Sequence, residues 1–100
     1  MSEADGIPGQ VFARVWDALE DSPAEAANMR MRSELMIAIR QAVAKWGMTQ
    51  AAAARRLDVT QPRLNDLLRG RINNFSLDAL TVLAARAGLD VRMRIERAAA

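Results

Sequence analysis

One hundred residues, 51% apolar and 26% charged, suffice for one small folded domain with arms, and exclude both a two-domain chain and a disordered one. Cysteine and histidine are both absent, which removes disulfides, thiolate metal sites, the commonest zinc ligand and the usual near-neutral proton shuttle. The net charge of +2 conceals an asymmetry: residues 1–29 carry six acidic side chains against Arg14 alone, whereas residues 30–100 carry thirteen basic and six acidic ones.

That split favours a polyanionic partner for the second part, although a solvated basic surface has the same composition. All but one of the thirteen basic residues are arginine, whose planar fork suits phosphates and guanine edges; a GC-rich genome produces the same bias. No Asp or Glu cluster has metal-ligand or acid–base spacing, and no nucleophile–base pair is present, so neither an enzyme nor a cofactor is expected. The acidic start, MSEADGIPGQ, lacks the basic-then-apolar pattern of a secretory leader, and no apolar run reaches membrane-spanning length. A cytoplasmic protein is the simple expectation.

In chain order, residues 1–9 read as a loose tail. Gln10 to Glu20 places Val11, Phe12, Val15, Trp16 and Leu19 at helical spacing, a short amphipathic segment within an acidic arm over 1–22. Ser22, Pro23 and Glu25 form a capping box with proline at the first helical position. From there a helix is predicted to Trp46, with a break allowed near Arg32 or Ser33. Its apolar face is Leu35, Ile39, Val43 and Trp46, flanked by Met36 and Ile37, and Gly47 closes it. Thr49 caps a short helix ending at Leu57, and Asp58–Val59 make a tight turn. Thr60 caps the next helix, which has Pro62 in its first turn and stops at Gly70. Arg71 to Phe75 is a loop. Ser76 caps a helix over Leu77–Ala87, with Leu77, Leu80, Leu83, Ala84 and Ala87 inward, and Gly88 ends it. The period then changes: Leu89, Val91, Met93 and Ile95 alternate with Asp90, Arg92, Arg94 and Glu96, the pattern of a half-buried strand. A lone strand needs a partner, which the same strand of a second copy, paired across a two-fold axis, or a strand of a different protein supplies; a short unstructured tail is the competing reading.

The functional constellation is TQAAAARRLDVTQPRLNDLLRG, residues 49–70, which has the spacing of a helix-turn-helix. Two short helices crossing at a tight turn need a small residue at the crossing, here Ala54. They need apolar residues beneath it, here Ala53, Leu57, Val59, Leu64 and Leu67. Packing accounts for the leucines but not for the exposed series Gln61, Arg63, Asn65, Asp66 and Arg69 on the second helix. The start of a recognition helix meets base edges in the major groove. Gln61 suits adenine and Arg63 suits guanine O6 and N7, while Pro62 can touch a thymine methyl. Asp66 can accept from cytosine N4 or orient Arg63 or Arg69. Thr49 and Gln50 begin the preceding helix, whose free amides can sit against a phosphate. Asn65, Arg69, Arg71, Asn73 and Asn74 suit backbone contacts that fix docking. For Arg55 and Arg56 a phosphate contact and a solvated face fit equally, and Trp16 and Trp46 read as core or interface anchors.

The block MTQAAAARRLDVTQPRLNDLLRG resembles the lambda-repressor-like (XRE) helix-turn-helix superfamily. With VFARVWDALEDSPAEAANMRMRSELMIAIR before it and GRINNFSLDALTVLAARAGLDVRMRI after it, roughly residues 11 to 95 look like the HigA-like antitoxins of type II toxin–antitoxin modules. The resemblance implies an all-α, lambda-repressor-like bundle of four to five helices, here with a C-terminal strand paired across the dimer. The predicted elements divide the chain into an arm (1–22), a DNA-binding domain (23–88) and a strand with tail (89–100). Gln61, Pro62, Arg63 and Asp66 become the base-facing positions, and Leu64 and Leu67 the core. Dimerisation falls to Leu89, Val91, Met93 and Ile95. The implied partners are a palindromic operator in double-stranded DNA, a second copy, and a small basic RelE/HigB-like toxin for which the acidic arm has the right charge. Asp58 replaces the glycine usual at the turn. A stand-alone or phage-derived regulator without a toxin and a helical protein-binding module are the competing readings.

Overall fold

The computed structural model describes residues 22–98, and the arm with Val11, Phe12, Val15, Trp16 and Leu19 lies outside them. By its internal packing the chain divides into two units, Met1–Met31 and Arg32–Ala100. Of the first, the described part is the start of a helix, where the Ser22 hydroxyl accepts from the Glu25 amide at 3.0 Å. The described residues hold four α-helices: α1 (Pro23–Trp46), α2 (Gln50–Leu57), α3 (Gln61–Leu68) and α4 (Leu77–Arg86), with a 3-10 turn at Ile72–Asn74.

Each helix after α1 begins where a hydroxyl satisfies an otherwise orphaned amide. Thr49 accepts from Ala52 N–H at 3.2 Å, Thr60 from Arg63 N–H at 3.2 Å, and Ser76 from Ala79 N–H at 3.0 Å. Helix α1 runs without the break allowed at Arg32–Ser33. Arg32 fits the helix because it sits one turn before Met36 and two before Ile39 on a buried face.

The core of the second unit is one cluster, in which Ile39, Leu57, Leu64, Leu67, Phe75 and Leu80 are fully buried. Ala53 and Ala54 are buried where α2 meets its neighbours, as a close helix crossing requires. Leu35, Val43, Trp46 and Val59 pack against the cluster from its edge, and Ile37 is exposed.

The α2–α3 turn is held twice. The amides of Asp58 and Val59 donate to Arg55 O (3.1 Å) and Ala54 O (2.9 Å), closing α2 in a Schellman-type cap. From α4, Arg86 Nη1 donates to Leu57 O at 3.1 Å and Asp58 O at 3.5 Å, and its Nη2 lies 3.8 Å from the Asp58 carboxylate. Asp58 is left-handed, with φ 58° and ψ 47°. Left-handed backbone strains any residue with a Cβ, while the exposed pair to Arg86 contributes little. Asp58→Gly is therefore expected to raise stability by roughly 0.5–1 kcal/mol. A lower urea midpoint for the variant would show that the carboxylate matters more than the strain.

The C-terminal strand is not formed. Among the described residues there is no β-strand, and residues 89–98 have no regular structure, so a strand paired across a dimer does not describe this chain. The reason is local. Gly88, at φ 83°, ends α4, and Leu89 N–H turns back to Ala84 O at 3.0 Å. Leu89 then packs against its own protomer's core and, with Trp46, Ala38 and Ala42, lines an open hollow of about 310 Å³. Beyond it the alternating charges pair along the chain, Arg92 with Asp90 at 2.9 Å and Arg94 with Glu96, and no neighbouring strand takes up the backbone groups.

Candidate nucleic-acid interface

Helix α3 is eight residues long, with Leu64 and Leu67 facing the core. Its other sides carry the polar series. Gln61, Pro62 and Arg69 are exposed, and Arg63, Asn65 and Asp66 are half-buried. Gln61 and Pro62 stand in the first turn, where the cap at Thr60 fixes the backbone. Arg71, Asn73 and Asn74 are exposed on the segment that follows α3.

Four of these side chains have partners within the protein. The Arg63 guanidinium lies 4.0 Å from the centroid of the Phe75 ring, and its Nη1 donates to Asn74 O at 2.7 Å. Asp66 accepts from Arg71 Nη1 and from Asn74 Nδ2, both at 3.3 Å. The structure thus brings together Arg63, Asp66, Arg71 and Asn74, four residues singled out from sequence. Gln61, Asn65, Arg69 and Asn73 make no side-chain hydrogen bond or ion pair among the described residues. Neither does Gln50 at the start of α2, whereas the Thr49 hydroxyl is engaged in its cap.

Three further residues matter and carry no motif. Phe75 is 1% exposed and forms the floor under Arg63. Arg32, also buried, sends Nη1 to Ile72 O at 3.3 Å and Phe75 O at 3.5 Å, fixing the loop from α1. The signals were present: Arg32 lies on the apolar stripe of a helix, and Phe75 is a lone aromatic in the polar loop RINNF. Arg40 brings its Nη1 to within 3.3 Å of where a Cβ on Gly70 would sit, at the end of α3. Trp46, read as an anchor, is half-buried and stacks with Arg56, whose guanidinium lies 4.0 Å from the ring centroid; this gives Arg56 a partner inside the protein.

Two capped helices joined by a tight turn, the second anchored by leucines and polar on its outer side, define a helix-turn-helix DNA-binding domain. Comparison with known proteins agrees. A family model described as "Helix-turn-helix domain" matches residues 18–96. A solved structure of a candidate XRE-family transcriptional regulator superposes with a TM-score of 0.68 at 30% identity, covering 76% of this chain and 91% of that one. No curated protein matches. The chain belongs to the XRE, lambda-repressor-like family of helix-turn-helix transcription regulators, DNA-binding proteins rather than enzymes. None of the helices among the described residues is long and apolar enough to cross a membrane.

Proposed function

We propose that this regulator is a repressor that binds a palindromic operator as a homodimer in the cytoplasm, with α3 of each copy in the major groove. The observation that carries this reading is the division of α3: Leu64 and Leu67 are buried while Gln61 and Pro62 at its start are exposed. Gln61, Pro62 and Arg63 face base edges, with Asp66 beside them. Thr49, Gln50, Asn65, Arg69, Arg71, Asn73 and Asn74 follow the phosphates. Titrating the purified protein against its own upstream DNA and a scrambled duplex at several salt concentrations tests it. Equal affinity for both sequences would sink operator recognition.

Within this reading, Arg63→Ala is expected to relax preference at one base pair per half-site and to cost about 1–3 kcal/mol of specific binding. Uniform weakening on every sequence would make Arg63 a phosphate contact instead. For the dimer, the support is apolar surface left uncovered at Val91, Met93 and Ile95, which are 48%, 80% and 84% exposed. Leu89, serving its own core, contributes at the edge. A monomer mass in sedimentation at micromolar concentration would count against this interface.

A finer reading is that the protein is the antitoxin of a toxin–antitoxin pair. It is supported by the resemblance to HigA-like antitoxins and by the net negative charge of residues 1–29, which suits a small basic RelE/HigB-like toxin. Co-expression with any such protein encoded beside it, followed by co-purification, tests this; failure to bind leaves a stand-alone regulator.

A further inference from the structure

The Arg63 side chain is held before any DNA is present. Its guanidinium is stacked on Phe75, and one Nη1 hydrogen is given to Asn74 O. The carbonyl is itself held, because the Asn74 side chain donates to Asp66 Oδ2 while Arg71 donates to Oδ1 of the same carboxylate. The ring is held too, buried in the core, with Phe75 O bound by Arg32. The Nε–Nη2 edge of Arg63 makes no hydrogen bond within the described residues. Such an edge presents two parallel donors, the pattern that guanine O6 and N7 accept.

We propose that Phe75 and Asp66 are positioning residues that preset Arg63 as a guanine reader, with Asp66 bracing the 71–75 loop rather than touching a base. The inference rests on the reading of α3 as the base-reading helix. A long arginine normally loses rotamer freedom when it docks, and a stack with a fixed hydrogen bond removes much of that loss beforehand. Discrimination at one position, rather than general affinity, is what such presetting improves.

The test is selection from a randomised duplex library with the wild type, Arg63→Ala, Phe75→Leu and Asp66→Asn. Phe75→Leu keeps an apolar filler but removes the π face; Asp66→Asn keeps the shape but removes the charge shared by Arg71 and Asn74. Both are expected to weaken the guanine preference roughly two- to tenfold at the position that Arg63→Ala erases, leaving other positions unchanged. Undiminished preference there, or uniform loss at every position, overturns the proposal. Loss at a different position on Asp66→Asn makes Asp66 a base reader and overturns it as well. A wild type that enriches no motif removes the base-reading function itself, and is recognisable because it precedes any variant. Should Phe75→Leu fail to fold, side-chain NMR of the wild type and of Asp66→Asn decides. Arg63 δ and ε protons shifted upfield by the ring in the wild type, and less so in Asp66→Asn, support the proposal. Shifts typical of a free arginine in the wild type, or no change in the variant, refute it.

Discussion

Truncating Phe75 to alanine is expected to cost about 3–5 kcal/mol of folding stability, the largest effect of any single change outside the helices. The ring is 1% exposed within the one core cluster, and the loop that carries it cannot collapse into the gap while Arg32 holds its carbonyl. The loss therefore includes both the transfer of the ring and the cavity left behind. In a domain this small, that is a large share of the whole stability. Urea unfolding should show a lower midpoint at an unchanged slope. A loss under about 1 kcal/mol would mean that the loop repacks freely, and would remove the floor from beneath Arg63.

Replacing Arg32 with alanine ranks second, at about 2–4 kcal/mol. Its guanidinium serves the carbonyls of Ile72 and Phe75 from a position that is only 9% exposed. Removing it strands acceptors that are partly or wholly out of water, and it also removes a packed stem. Arg32→Met separates the two contributions by keeping the stem without the donors, and is expected to recover part of the loss. Equal midpoints for the two variants would show that packing contributes nothing there; a methionine variant as stable as the wild type would show the same of the hydrogen bonds.

What could be seen in the sequence was what depends on neighbours a few residues away. Thr49, Thr60 and Ser76 announced their helices because a cap needs only the amide three residues on, and Gly47, Gly70 and Gly88 marked the stops, each with positive φ. The alternation over Leu89–Ile95 misled for a physical reason. Period two describes where side chains could point, whereas a strand exists only if another strand accepts its backbone, and pairing along the chain already satisfies the charges. The burial of the Arg32 side chain and the pairing of Arg63 with Asn74 and Phe75 were hidden for one shared reason. Both depend on a loop more than ten residues from Arg63 and forty from Arg32 folding back, and nothing local encodes that return. Gln61 and Pro62, by contrast, are exposed at the start of α3, where the sequence placed them.

The strap that Arg86 lays across Leu57 and Asp58 bears on how this domain breathes. Amide exchange at the end of α2 and in the turn requires an opening, and any opening wide enough must first release a guanidinium anchored in the last turn of α4. The two-helix motif and the helix after it should therefore protect and expose their amides as one cooperative unit. The rigidity of the reading element is thus set partly by a helix beyond it, so lesions at the far end of α4 would be felt as a looser grip at its turn.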